Sequence, residues 1–187
     1  MTCTLNDVAS CVSSMLALAL IAGCASAPAP RPTVPAAIEA PEKATVAYRW
    51  YAKGTQNYTC TAKPDGSGAE WKLSGPEAKL YAGPEAGASQ VGVHGAGPAW
   101  DANDGTRFIG NAMAAKKAPS PDASAIPWLL IPKKEGDVSG TLGGVEFVQR
   151  MDTVGGQPPA TGCDAGSVGG TVKVPYTATY IFYRGGV

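Results

Sequence analysis

A long alternating run near the carboxyl terminus constrains the fold more than any other feature of this chain. Between Thr171 and Tyr183 every second position is apolar or aromatic. These positions are Val172, Val174, Tyr176, Ala178, Tyr180 and Phe182. A period of two places such side chains on one face of a β-strand, whereas a helix would scatter them around its axis. The run therefore predicts a long strand with one buried face.

Shorter runs of the same kind fill residues 44–187, separated by Gly, Pro, Asp and Asn. Turn residues that recur about every ten positions are typical of an all-β domain. We therefore predict a single antiparallel β-sandwich or small barrel with long Gly/Pro-rich loops. Its strands are expected at 45–51, 57–61, 70–73, 78–82, 90–94, 107–112, 128–131, 145–151 and 171–183.

The amino terminus reads as an export signal. The uncharged stretch from Val8 to Ala22 is shorter than the about 20 residues that a membrane-spanning helix needs. It ends in Ile21-Ala22-Gly23-Cys24, the pattern at which bacterial lipoproteins are cleaved and lipidated. We predict a signal peptide at 1–23 and a lipid on Cys24. The alternative is an ordinary secretory signal in which Cys24 is incidental.

This interpretation places the mature protein in the cell envelope, facing the periplasm or the cell surface, and Ala25 is compatible with the outer membrane. Residues 24–43 would be the lipidated cysteine and a Pro/Ala-rich tether, because five prolines there favour an extended chain. At ~3.1 Å per residue, such a tether reaches about 60 Å. The β domain would then occupy 44–187.

Charge argues against two classes of partner. Cleavage before Cys24 removes one acid, Asp7, and no base, so the mature chain carries 15 basic and 14 acidic side chains. It has neither the basic stripe of a nucleic-acid-binding protein nor a polybasic patch for anionic lipids. We therefore predict no nucleic-acid partner, and membrane attachment through the lipid alone.

Cysteine positions predict one disulfide. Of five cysteines, only Cys60 and Cys163 remain once the signal is removed and Cys24 is lipidated. In an oxidising compartment two cysteines most simply pair, and a loop of this size adds up to about 4.7 kcal/mol of stability. Two unpaired buried thiols are the alternative. A zinc site is disfavoured because His94 is the only histidine, and we predict no metal and no cofactor.

One candidate ligand loop spans residues 93–105. It combines His94, Trp100, Asp101 and Asp104 with several glycines. In one interpretation Trp100 stacks on a flat partner such as a sugar ring, while His94 and the aspartates form hydrogen bonds or hold a cation. In the other, Asn103-Asp104-Gly105 is a hairpin turn, Trp100 is a core residue and His94 ends a strand.

A second candidate is the Gly/Pro-rich segment 153–164, which ends at Cys163 and is preceded by Arg150 and Asp152. A loop pinned by a disulfide and flanked by charged residues is suited to the rim of a site, with Arg150 as a ligand-binding residue. It could equally be a long connection that needs a cross-link.

Templates for enzymes find little support. No Gly-x-Ser-x-Gly elbow occurs, and the acidic residues form too many pairs to indicate a glycosidase. We assign no catalytic residue and predict a non-catalytic binding or structural module with a glycan or another envelope component as partner. The alternative is a hydrolase of cell-wall or other polysaccharide, with His94, Asp101 and Asp104 as its polar centre and Trp100 as a stacking platform.

An ordered series of motifs covers residues 44–187. It includes Tyr58-Thr59-Cys60, His94-x-x-Gly97-Pro98-x-Trp100, Ile126-Pro127-Trp128-Leu129-Leu130, Gln149-Arg150, Gly162-Cys163 and Val174-Pro175-Tyr176. The series resembles DUF3455, a family of small exported bacterial and fungal proteins of unknown function. The resemblance implies an exported single domain and brings no activity or ligand. Some fungal relatives carry a malate dehydrogenase label, but the glycines of residues 92–97 lack dinucleotide-binding spacing.

Overall fold

The alternating runs form nine antiparallel strands in the computed structural model, which describes residues 29–187. In chain order they are β1 (Thr45–Ala62), β2 (Ala69–Tyr81), β3 (Gln90–Gly95), β4 (Ala99–Ala102), β5 (Arg107–Gly110), β6 (Lys116–Ala118), β7 (Trp128–Gly136), β8 (Val145–Gly155) and β9 (Thr171–Arg184). Two 3₁₀ turns, Ala36–Ile38 and Ala112–Ala114, are the helical elements of this region. Within residues 29–187, no helical element is long and apolar enough to cross a membrane.

Eight of the strands close into a barrel. The order is β5-β4-β3-β2-β1-β9-β8-β7, and β7 pairs again with β5. One edge of β7 serves two neighbours: Trp128–Leu130 pairs with β6, and the end of the strand pairs with β5 at Gly110, Ile109 and Phe108. Closure satisfies the backbone groups that an open sheet leaves unpaired at its edges. The all-β prediction is confirmed, and of its two architectures the barrel is the one observed.

Strand β1 is longer than the sequence predicts. It runs straight through Lys53-Gly54-Thr55-Gln56, a polar stretch that we expected to separate two strands. Both neighbours, β2 and β9, pair with it across this stretch, so the backbone gains a full set of hydrogen bonds there. A Cβ at Gly54 would overlap the backbone of Glu77 and Ala78, so a glycine is what allows β2 to approach this closely.

The barrel interior is packed with aromatic and branched side chains. Trp100, Phe108, Tyr180 and Phe182 are fully buried there, and Trp100 contacts the other three rings at centroid distances of 5.4 to 6.5 Å. The alternate positions of β9 supply much of this core, as the sequence predicts. The inward face of β9 therefore fixes which side of every neighbouring strand points into the barrel.

A second apolar cluster lies on the outer face of the barrel wall. Ile38, Trp128, Leu130, Ile181 and Tyr183 belong to it, and the amino-terminal segment covers it. This placement differs from the predicted tether, because residues 29–43 lie against the barrel instead of extending from it. The reason is Ile38, the one large aliphatic side chain of the turn at Ala36–Ile38, which is completely buried and fixes the prolines around it.

The disulfide prediction is confirmed. Cys60 of β1 is bonded to Cys163 in the loop between β8 and β9, with a Cα–Cα distance of 5.4 Å. Cys60 is nearly inaccessible, and its backbone also pairs with Gly169 and Gly170 at the end of the same loop. The bond thereby holds the Gly/Pro-rich loop against one end of the barrel.

Candidate functional site

A cavity of about 520 Å³ opens at the end of the barrel that the disulfide loop borders. Its interior wall comes from Gln56 and Tyr58 of β1, His94 of β3, Trp100 of β4 and Tyr180 of β9. Exposed residues of β2, among them Leu73, form part of its rim. A largely apolar cavity of this size with a few converging polar groups is typical of a small-molecule site, and the mouth of a barrel is a frequent location for one.

Three aromatic rings in contact with one another form part of the cavity wall. His94 and Trp100 are directly opposite each other on β3 and β4, and their rings stack at 4.2 Å with an interplanar angle of 12°. Tyr180 meets both edge-on, at 5.0 Å from His94 and 5.4 Å from Trp100. Because both strands alternate, the pairing of His94 with Trp100 places both rings inside the barrel.

His94 is a neutral side chain with one defined tautomer. Its Nδ1 donates to the Ala99 carbonyl at 2.8 Å, so the proton of the neutral imidazole resides on Nδ1 and Nε2 is left as an acceptor. Burial is the main cause that lowers the pKa of His94 from 6.5 to about 3, and the charge of Arg150 lowers it further. The ring is therefore uncharged at neutral pH.

Two buried N–H groups in the cavity wall have no hydrogen-bond partner in residues 29–187. They are Nε2 of Gln56, whose side chain is 2 % exposed, and Nε1 of Trp100, which is 0 % exposed. Leaving a buried donor unsatisfied costs about 1–3 kcal/mol, and native proteins contain few such groups. Both residues line the cavity. Of the three buried side-chain atoms without a partner in residues 29–187, two therefore belong to cavity-lining residues, and the third, Trp128 Nε1, lies in the outer cluster.

Arg150 adds a positive charge to the same wall. It projects from β8, and its Nε and one terminal nitrogen donate to the Pro127 carbonyl at 3.1 and 2.8 Å. None of the ion pairs within the described part of the chain involves Arg150. Burial raises the pKa of Tyr58 and of Tyr180, and the Arg150 charge opposes this rise in both. The cavity thus contains a half-buried cation without a carboxylate partner.

The loop that follows β8 closes one side of the cavity. Gly156 lies at φ +82°, a conformation that favours glycine, and its carbonyl accepts a hydrogen bond of 2.6 Å from the Tyr58 hydroxyl. A Cβ at Gly156 would also press on the side chain of Gln56 at 3.2 Å. Gln157 is tied back through a 2.8 Å hydrogen bond to the Ala125 carbonyl. These contacts fix the wall beside Gln56 and Arg150.

The two aspartates of the candidate loop do not join this site. Asp101 forms an ion pair with Arg107 across β4 and β5 on the outer face of the wall. Asp104 sits in the turn between these strands, where hydrogen bonds from Thr106 and the Thr141 amide lower its pKa. Neither lines the cavity. Of the five predicted ligand-binding residues, the structure therefore brings together His94, Trp100 and Arg150 and separates Asp101 and Asp104 from them.

This arrangement matches the structural interpretation of residues 93–105. Asp104 and Gly105 lie in the β4–β5 hairpin turn, Trp100 is a core residue, and His94 lies near the end of β3. Trp100 is thus a core residue with no accessible surface, and the cavity lies against it. Asp152, the other charged residue near the second candidate segment, is exposed and lies elsewhere.

Sequence reasoning missed Gln56, Tyr58 and Tyr180. Gln56 carried a readable signal, because it occupies an inward position of β1 between the buried residues Ala52 and Tyr58. A long polar side chain at such a position points either to a hydrogen-bonded network or to a ligand. The signal was lost because the polar stretch around it predicted a break between two strands.

A second depression, of about 710 Å³, lies on the outer face of the barrel beside Lys53, Tyr81, Glu85 and Asp152. The unpaired buried polar atoms of the described residues do not line it, so it lacks the feature that marks the first cavity. Residues 29–187 contain no group of three or more His, Cys, Asp or Glu side chains that could hold a metal ion.

Comparison with known families places the chain. Residues 41–184 match the model of the family described as protein of unknown function DUF3455. The chain belongs to this family. The match includes every residue named above as part of the cavity wall. Curated proteins give no match, and solved structures give none either.

Proposed function

We propose that this DUF3455 protein is a non-catalytic binding module of the bacterial cell envelope that accommodates a small organic ligand inside its barrel. The observation that carries this proposal is the coincidence of a 520 Å³ cavity with two buried donors, on Gln56 and Trp100, that lack partners. An internal space that served packing alone would be filled, or lined with apolar groups only.

A binding role is better supported than catalysis. The hydrolase hypothesis requires His94 to act with Asp101 or Asp104, and the barrel wall separates the ring from both carboxylates. His94 is also stacked on Trp100 and bonded to Ala99, so its ring orientation is fixed by the core. Neither of the two carboxylates that hydrolysis of a glycosidic bond normally uses is available in the cavity wall, because no Asp or Glu of residues 29–187 lines it.

We further propose that a lipid on Cys24 holds the domain in the envelope. The bridge between Ala29 and Val46 attaches the chain to β1 five residues after Cys24. The five residue-to-residue steps from Cys24 to Ala29 span at most about 18 Å when fully extended. A lipidated protein of this design would carry its barrel against the membrane surface rather than tens of ångströms above it.

The test of ligand binding uses a matched pair of substitutions. Ala115 lines the cavity and Ala114 beside it does not, and both lie at the turn before β6. We expect small aromatic compounds to bind the wild type in ligand-observed NMR, and Ala115→Trp to abolish this binding by filling the space. Ala114→Trp should leave binding intact. Equal loss in both variants, or no loss in Ala115→Trp, would contradict the location of the site.

Envelope attachment is tested separately. Cys24→Ala should release the protein from membranes, and globomycin should leave the precursor uncleaved. Unchanged membrane fractionation of the Cys24→Ala variant would contradict lipid anchoring while leaving the cavity proposal untouched.

A further inference from the structure

We infer that the ligand of this cavity is an organic anion, with a carboxylate attached to a flat apolar body. This inference rests on the proposed binding function and adds the chemical class of the ligand. It follows from the hydrogen-bond donors in the cavity wall, from the positive charge of Arg150, and from the apolar side chains that line the rest of the cavity.

The buried side-chain N–H groups of Gln56 and Trp100 in the wall lack a partner within residues 29–187, and the Nε2 acceptor of His94 in the same wall is uncharged. Trp100 Nε1 can only donate, and so can the guanidinium of Arg150, which uses two of its three nitrogens on one carbonyl. The Gln56 amide adds a third donor through Nε2. A ligand that satisfies these groups must offer acceptor oxygens. A neutral carbonyl could serve one donor, whereas a carboxylate has about four acceptor positions and can serve several at once.

The charged side chains of the cavity are positive, and they therefore favour an anion as the donors do. Within residues 29–187, Arg150 lies in the wall without an ion pair, Lys117 lies at the exposed rim, and no Asp or Glu lines the space. His94 contributes no charge, because its burial keeps the ring neutral. Half-buried cations are normally paired, since an isolated charge loses hydration without compensation. An anionic ligand supplies the missing partner, and a planar carboxylate matches the fork of the guanidinium.

The rest of the cavity favours an apolar, flat body. Ile126, Leu129 and Ile131 form one side, and the ring of Trp100 forms part of another. Covering this surface with an apolar group releases free energy, because apolar area is removed from water. A fully hydrated ion such as phosphate has no apolar area to bury and gains no such energy. The ligand class is therefore an aromatic carboxylate rather than an inorganic anion or a small carboxylate such as acetate.

The first experiment needs no variant. Calorimetric titration compares 4-butylbenzoate with 4-butylbenzamide, which has nearly the same shape without the charge. Charge-assisted hydrogen bonds predict that the carboxylate binds about 10- to 100-fold more tightly. Inorganic phosphate and acetate should bind far more weakly than 4-butylbenzoate. The inference is overturned if the amide binds as tightly as the carboxylate, or if inorganic phosphate does.

The second experiment uses two arginines. Arg150→Gln should weaken 4-butylbenzoate about 10- to 100-fold and change 4-butylbenzamide by less than about 3-fold. Arg107→Gln makes the same change of charge on the outer face, where its partner is Asp101, and should change neither affinity. An equal loss in both variants would mean that net charge, and not the cavity, selects anions.

The outcomes separate this inference from the proposal beneath it. If the benzoate and the benzamide bind equally and Ala115→Trp blocks both, the cavity is a ligand site and the anion inference is wrong. If no aromatic or acyl compound binds the wild type, the binding function falls as well. If Arg150→Gln does not fold, Gln56→Met removes one donor at constant side-chain length and should weaken the benzoate but not the benzamide.

Discussion

Two buried glutamines, one inside the barrel and one on its outer face, differ in whether the protein satisfies their hydrogen bonds. Gln149 belongs to the outer cluster, where its Nε2 donates to the Ile38 carbonyl at 2.6 Å and its Oε1 accepts from the Tyr183 hydroxyl at 2.9 Å. Gln56 is buried to the same degree inside the barrel, yet its Nε2 has no partner in residues 29–187.

The difference teaches that the two regions are built for different purposes. The outer cluster uses the amide of Gln149 to attach the amino-terminal segment, and both ends of that amide are satisfied by the protein itself, whereas Trp128 Nε1 of the same cluster has no partner within residues 29–187. The interior cavity keeps donors that the protein does not satisfy, which is expected where a ligand completes the structure. The following changes test this difference between the two regions, and they are ordered by the change in the free energy of unfolding that we expect.

The disulfide should make the largest contribution, because it holds the loop that closes the cavity. Replacing both Cys60 and Cys163 by Ala is expected to lower the free energy of unfolding by about 2–5 kcal/mol, since the cross-link restricts the unfolded chain over a long loop. Urea unfolding followed by tryptophan fluorescence measures the loss. Wild-type protein in reducing buffer should show a similar loss, and an unchanged midpoint in both samples would contradict this role.

Removing the outer anchor should have the next largest effect. Ile38→Ala is expected to cost about 2–5 kcal/mol, because the side chain is fully buried under the amino-terminal segment. Leu129→Ala, at the half-buried cavity wall, should cost only about 1–2 kcal/mol, because that side chain already borders empty space. If Ile38→Ala proved as mild as an exposed substitution, residues 29–43 would be a tether after all.

Acid should weaken the interior through His94. The pKa of His94 is about 3 in the folded protein and 6.5 when unfolded, so below pH 6.5 the unfolded chain binds a proton that the folded protein does not. Stability attributable to this residue is complete above pH 6.5 and should fall by about 2 kcal/mol between pH 7 and pH 5. His94→Gln, which keeps a donor for Ala99, should remove this part of the pH dependence. Identical pH profiles for both proteins would contradict it.

The glutamines themselves should show the smallest and most informative effects. Gln149→Met is expected to cost about 1–3 kcal/mol, because it leaves the Tyr183 hydroxyl and the Ile38 carbonyl without a partner. Gln56→Met, without ligand, should leave stability unchanged or raise it by about 1 kcal/mol, because it removes an unsatisfied donor. Equal losses in unfolding experiments would mean that the Gln56 amide is satisfied in solution without a ligand.

Local pattern predicted most of the fold. The period-two runs located most of the strands, and the two cysteines that would remain after the predicted cleavage and lipidation predicted the bond between Cys60 and Cys163. Pattern could not predict the amino-terminal packing, because the prolines around Ile38 favour an extended chain and only tertiary burial of Ile38 overrides that preference.

The site was predicted less completely for a similar reason. His94 and Trp100 stood out as rare residues close in sequence, and Arg150 as a charge beside a loop. Gln56 and Tyr180 reach the cavity from the middle of long strands, so their meeting with Arg150 depends on strand register across β1, β9 and β8. Register is a property of the closed barrel and is not written in any short segment of the chain.

The most direct test of the central claim is the indole region of the ¹⁵N–¹H spectrum during titration with 4-butylbenzoate. The chain contains four tryptophans, and among those that the structure describes Trp100 alone both lines the cavity and has a buried indole N–H without a partner in residues 29–187. Trp128 is an internal control, because its Nε1 is also buried and unpaired but lies outside the cavity. Trp100→Phe assigns the reporting signal.

We predict that the Trp100 signal shifts and saturates with ligand while the Trp128 signal stays in place. A Trp100 signal that does not move at saturating 4-butylbenzoate, or a shift confined to the other three indoles, would contradict the account.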